Sequence, residues 1–175
     1  IQDVFIDGSN FGAFASAIKK EFPNIRIIIF FHNVEFNFFY GAFKSNYSFH
    51  SFGVMVANYV AEYKSMKHSN HRITLSERDS QQLKKIYKKG ATHISGMAMV
   101  DKFSLADFKN ISKDLSYEKY ALFVGGNFYA NRDGIIWFLN NVAPKINLKI
   151  VIIGRGLEDL KEQFVGADNI EIIGE

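Results

Sequence analysis

The sequence predicts an α/β protein made of two successive series of parallel βαβ units, both incomplete. Short apolar runs such as 25–31 and 149–153 alternate with helical periodicities at a spacing suited to crossover connections. Turn signals stand where those runs end, at Asp7-Gly8-Ser9-Asn10, Gly125-Gly126 and Gly154-Arg155-Gly156. The composition is that of a globular chain, with 47% hydrophobic and 22% charged residues in 175.

The elements follow in order. Residues 4–6 read as a strand, and the turn cluster after them is expected to cap a helix carrying Phe11, Phe14, Ala15 and Ile18, which Pro23-Asn24 stops. The run 25–31 is apolar at six of seven positions, the pattern of a strand buried on both faces. Phe52, Met55, Val56, Tyr59, Val60 and Tyr63 form the stripe of an amphipathic helix. After a strand at 73–75, Ser76 and Asp79 make a capping box for a helix with Leu83, Ile86 and Tyr87, closed by Gly90. Residues 91–100 read as extended.

Residues 101–118 are polar and weakly periodic and read as a linker between a first domain, 1–100, and a second, 119–175. The second series has strands at 120–124, 149–153 and 170–173. Its helices are one with Ile135, Ile136, Leu139 and Val142, closed by Pro144, and a short one near 157–164.

Composition excludes several classes of function. There is no cysteine, so disulfide frameworks, thiolate metal sites and cysteine nucleophiles are ruled out. The net charge of +3 is unevenly shared, +4 on residues 1–118 and −1 on the remainder. The lysines between Lys64 and Lys89 read as solvated helix faces, with no dense basic stripe, so a nucleic-acid partner is not expected. No apolar run reaches the length of a membrane span. The chain opens on a strand already under way, without initiator Met or basic-then-apolar leader, and so reads as beginning mid-fold.

In open α/β sheets ligands collect beyond the carboxyl ends of the strands. Gly125-Gly126 lies between a strand and a helix, where missing side chains let a phosphate approach backbone N–H groups; Arg132 follows as a candidate cation. A glycine pair needed only for a tight turn explains the same residues. Gly154-Arg155-Gly156 is a similar turn. His32, after the 25–31 strand, is placed for proton transfer or a ligand hydroxyl, with a structural histidine as the alternative. Asp7-Gly8 and Ser76-Glu77 read as turn and cap. No nucleophile elbow, HExxH, Walker A or clustered metal ligands appear. The densest aromatic stretch, with Phe38, Phe39 and Tyr40 beside Lys44, reads either as sheet packing or as an acceptor or membrane-surface patch.

Taken together, the ordered segments Asp-Val-Phe-Ile-Asp, His-Asn-Val-Glu, Ile-Thr-Leu-Ser-Glu-Arg-Asp, Ala-Leu-Phe-Val-Gly-Gly-Asn-Phe-Tyr-Ala-Asn-Arg-Asp-Gly, Val-Ile-Ile-Gly-Arg-Gly and Asn-Ile-Glu-Ile-Ile-Gly resemble retaining glycosyltransferases of the GT-B fold, in the large family-four group that builds polysaccharides and glycolipids. The resemblance implies two Rossmann-like domains facing a cleft, the first holding the acceptor and the second the nucleotide sugar. It places His32 against the donor sugar as the catalytic-site residue, Gly125, Gly126, Asn131 and Arg132 at the diphosphate, and Gly154 and Gly174 near the nucleotide base. Relatives carry an Arg after the first glycine, where this chain has Gly126.

A full GT-B enzyme is roughly twice this length, and its pair of donor-site glutamates follows the last strand, 170–173, beyond which this chain stops at Glu175. The chain therefore reads as a central fragment without transferase activity of its own. The implied partners are a nucleotide sugar and a saccharide or lipid-linked acceptor, with no cofactor and no metal. The expected location is cytoplasmic or peripheral at the inner face of a membrane, and self-association through incomplete domains is a further expectation. A nucleotide-sugar epimerase of the same architecture and a non-catalytic membrane- or partner-binding module are the rival readings.

Overall fold

The computed structural model describes residues 2–98, 100 and 119–174; the expected linker 101–118 lies outside them. The chain is α/β and divides into two compact units, Ile1–Val100 and Asp101–Glu175.

In the first unit, β1 (Asp3–Asp7), β2 (Arg26–Phe31), β3 (His71–Thr74) and β4 (His93–Ile94) form a parallel sheet in the order β1-β2-β3-β4. Register pairs Ile6 with Ile29 and Phe31 with Thr74. The helices are α1 (Gly12–Glu21), α2 (Glu35–Ser45), α3 (Phe49–His68) and α4 (Glu77–Tyr87). Ile27, Ile29 and Phe31 point to one face of β2 and are sealed there by Ala15 of α1, Met66 of α3, and Leu83 and Tyr87 of α4. Period-two alternation makes this possible, because every second residue of a strand shares a face.

The expected burial of 25–31 on both faces is corrected by the structure. Ile28 and Phe30 are only half-buried, and Phe5 on the same face of β1 is exposed. With strands laid down in chain order and the helices gathered on one side, the other side of the sheet keeps partial access to water. Among the described residues of 91–100, His93–Ile94 pair with β3 and the rest are irregular.

The second unit repeats the plan with β5 (Tyr120–Val124), β6 (Lys149–Ile153) and β7 (Ile170–Ile173), again parallel and in chain order. The helices α5 (Tyr129–Asn141) and α6 (Leu160–Gln163) cover one face, where Ile135, Leu139 and Leu160 pack on Ile150, Ile152 and Ile172. Leu122 and Val124 stand on the other face, exposed. Among the described residues no helix is long and apolar enough to cross a membrane.

Two local expectations change. Of the 52–63 stripe only Met55 is buried: Phe52, Val56, Tyr59, Val60 and Tyr63 are all partly exposed, and beside Met55 the helix buries Glu62, Ser65 and Met66. The reason is a close crossing of helices. A Cβ on Gly12 would stand 1.8 Å from the carbonyl of Ala61 and 2.7 Å from the amide of Ser65, so α1 and α3 meet backbone to backbone along the small-residue side of α3. The cap expected from the Asp7–Asn10 cluster is also absent, since neither the 3-10 turn at Ser9–Phe11 nor α1 has a side-chain cap. Asp7 and Ser9 have other partners.

Candidate functional site

In the first unit the carboxyl ends of β1 and β2 bring Asp7 and His32 together. An Asp7 carboxylate oxygen lies 2.6 Å from His32 Nε2, and both side chains are half-exposed. Asp7 is therefore an orienter of the imidazole, a role that reading it as turn and cap missed. With Nε2 donating to Asp7, Nδ1 is left as the ring's second polar atom, and the edge of Phe30 steadies the ring at 4.7 Å between centroids. A carboxylate–imidazole pair of this kind fixes ring orientation and can accept or return a proton.

Beneath it lies a carboxylate that reading along the chain overlooked. Glu62 of α3 is fully buried and accepts four hydrogen bonds, two on each oxygen. Ser9 Oγ (3.1 Å) and the Glu35 amide (2.9 Å) donate to Oε1. The Phe36 amide (3.2 Å) and Tyr87 Oη (2.7 Å) donate to Oε2. Helix α2 has no side-chain cap of its own, so Glu62 caps it from 27 residues away in sequence. The positive end of the helix dipole and four donors meet its charge. Ser65 Oγ donates to the Ser9 carbonyl at 2.7 Å. Helix α3 thus holds both loops of the site, the one after Asp7 and the one after His32.

Glu35, at the head of α2, has its carboxyl pushed up by partial burial and by the Glu62 charge, with His32 pulling the other way. Burial and the same Glu62 charge hold the Tyr87 hydroxyl far above the usual tyrosine range.

In the second unit the turns after β5 and β6 are joined along their backbones. The Gly125 amide donates to the Ile153 carbonyl at 3.0 Å and the Asn127 amide to the Arg155 carbonyl at 3.1 Å. A Cβ on Gly154 would lie 1.9 Å from the Gly125 carbonyl oxygen, so glycine is required for that approach. The Gly-Arg-Gly turn therefore has a definite packing reason. Gly126 faces open space, with nothing within 4 Å of where its Cβ would be, and α5 begins shortly beyond at Tyr129, with Phe128 at its N-cap position and no side-chain cap.

Asn131 donates from its side chain to the Gly126 carbonyl at 3.0 Å, bracing this turn. Gly174, at the end of β7, packs against the Glu158 side chain. Arg132 is not an unpaired cation: its guanidinium grips Asp159 with two hydrogen bonds, from Nη1 at 3.0 Å and from Nη2. That pairing raises the Arg132 pKa and lowers that of Asp159.

The aromatic candidates lie on α2. Phe38 and Tyr40 are exposed, Phe39 is half-buried, and Lys44 Nζ sits 5.3 Å from the Tyr40 ring centroid. Among the described residues no group of three or more His, Asp or Glu side chains is arranged to hold a metal ion.

No protein-family model matches the chain, and no curated protein matches its sequence.

Proposed function

We propose that the chain carries parts of a glycosyltransferase that moves a sugar from a nucleotide-sugar donor to a polysaccharide or lipid-linked acceptor, without a metal ion. In this reading the second unit takes the nucleotide sugar and the first the acceptor, with His32, oriented by Asp7, serving the donor sugar. The observation that carries it is the pair of joined glycine turns at the head of α5. At their junction nothing lies within 4 Å of where a Cβ on Gly126 would stand, and no side chain caps the N-terminus of the 13-residue helix beyond. Such an opening favours a diphosphate, because the helix dipole and the amides of the first helical turn stabilise its charge as the sugar departs. Arg132, paired with Asp159, supports the loop rather than meeting the phosphates alone.

The test is calorimetric titration of the chain with uridine, guanosine and adenosine diphosphates, with amide chemical shifts followed in parallel. The amides of Gly125, Gly126 and Asn127 should move for at least one of them. Gly126→Val places a side chain in open space, so it should leave thermal unfolding unchanged while weakening binding about tenfold or more, about 1.4 kcal/mol. Absence of binding, or binding indifferent to Gly126→Val, removes the reading. With a labelled nucleotide sugar and acceptor the 175-residue chain should form no glycoside, and a glycoside product would refute its expected inactivity; an epimerised nucleotide sugar points to an epimerase.

A further inference from the structure

We infer that the basic hollow at the amino end of the first sheet binds a compact soluble anion bearing two or more phosphate groups. Helices α1 and α3 both end there, just ahead of β2 and β3, at the opposite end of the strands from Asp7 and His32. The hollow measures about 530 Å³, and every residue lining it is polar or basic, with Lys19 and Lys20 from α1 and Lys67 and His68 from α3. Lys64, one turn before His68, adds its charge. No carboxylate lines the hollow. Glu21, beside Lys20 in the chain, lines a separate one next to Pro23. Among the described residues none of the four lysines is ion-paired. Lys19 is held by the carbonyl oxygens of Pro23 (3.5 Å) and Ile25, which fix its ammonium group without neutralising it.

Charge and shape select the ligand. The carbonyl ends of the two helices carry roughly half a negative elementary charge each, too little to offset four ammonium groups. His68 registers the surplus: burial and the charges of Lys67, Lys19 and Lys64 hold its pKa below the usual histidine range. Those are the charged groups facing it, two from its own helix and one from α1. Arg72, which donates to the Ser69 carbonyl and hydroxyl at the edge of the hollow, has no carboxylate partner either. Asn70 accepts from the Ile27 amide at 3.0 Å through Oδ1, so its side-chain amide remains a fixed donor. A single phosphate would meet one or two of these groups, whereas a short chain of phosphates can meet several within one concavity. A bilayer fits poorly, because no apolar side chain lines the hollow to enter it. A nucleic acid calls for a basic stripe rather than one concavity. The hollow belongs to the first unit and the proposed nucleotide contacts to the second, so each stands or falls separately.

The experiment is calorimetric titration of the chain with inorganic pyrophosphate and tripolyphosphate, with sulfate at matched ionic strength as the reference. Tripolyphosphate should bind about tenfold or more tighter than sulfate, and its affinity should fall as salt rises. The amide resonances of Lys20, Lys67, His68 and Asn70 should shift on binding, and those shifts should survive Gly126→Val. Lys20→Gln combined with Lys67→Gln should weaken binding by about tenfold or more. Both side chains are exposed, so thermal unfolding should stay unchanged. As a direct readout, the His68 ring should titrate at higher pH with tripolyphosphate bound than without it, because a nearby anion favours the imidazolium. Binding no tighter than that of sulfate, or shifts indifferent to the paired lysine substitution, overturns the inference. So does a chain that takes up phosphatidylglycerol vesicles or single-stranded DNA through these lysines while ignoring tripolyphosphate.

Discussion

Glu62 shows how a residue's role can be set by partners far from it in the chain. Its carboxylate joins the head of α2, the loop after β1 and the Tyr87 hydroxyl, with two donors on each oxygen. Glu62→Gln keeps the shape but replaces one acceptor with an amide that faces donors, leaving buried N–H or O–H groups unpaired. It should cost about 3 kcal/mol in chemical denaturation and shift the amide resonances of Glu35 and Phe36. A change indistinguishable from zero would show that water or other groups can take over these bonds. Glu35 gives a pH signature. Its carboxyl is raised by burial and by Glu62, so between the ordinary carboxylate range and its raised value the folded state holds more protons than the unfolded state. Stability attributable to this group therefore falls as pH rises through that window. Glu35→Gln should stabilise the chain at neutral pH and make no difference in acid below the ordinary range. Thermal melts across pH check this, and a variant less stable at pH 7 would contradict it.

At the scale of elements, the controlling feature is the close crossing of α1 on α3. Gly12→Ala would drive a methyl group into the Ala61 carbonyl, and neither helix backbone can yield cheaply. The expected loss is about 3 kcal/mol, read as a lower denaturation midpoint with an unchanged slope. If the variant is as stable as the parent, the crossing is looser than described. The crossing also explains why the aromatic stripe of α3 faces outward. Once the small-residue side of the helix is committed to backbone contact, Val56, Val60 and Tyr63 on the opposite side point away from it, while Met55 and Met66 stay buried. The turns after β5 and β6 follow the same logic at smaller scale, with Gly154 replaced by nothing larger because the Gly125 carbonyl occupies the space.

Across the whole molecule, both sheets carry their helices on one face. Opposite them, residues such as Val124, 69% exposed, contribute little to folding, whereas Ile152 is fully buried. Val124→Thr should change stability by no more than about 0.5 kcal/mol, and Ile152→Thr should cost about 3 kcal/mol. Denaturant titration of both variants compares them directly, and equal costs would mean that the exposed face is covered in solution. Most of the elements were legible in the sequence, because buried parallel strands and capped helices leave local patterns: 120–124, 149–153 and 170–173 recur as β5, β6 and β7. The glycine turns were legible as strand ends, though the reason Gly154 must be glycine lies in a loop nearly thirty residues earlier.

By itself the sequence determined the α/β class, the alternation of strand and helix, the position of His32 after β2 and of Gly125-Gly126 after β5, and the absence of cysteine chemistry. These follow from period, turn residues and composition, which act within a few residues. Only the tertiary structure decided that Asp7 serves His32, that Glu62 caps α2, that Arg132 belongs to Asp159, and that the aromatic stripe of α3 faces outward. Each of these depends on which backbones approach closely enough to bring distant polar groups within about 3 Å, the range of a hydrogen bond. That distance is set by packing between elements and leaves no local pattern along the chain.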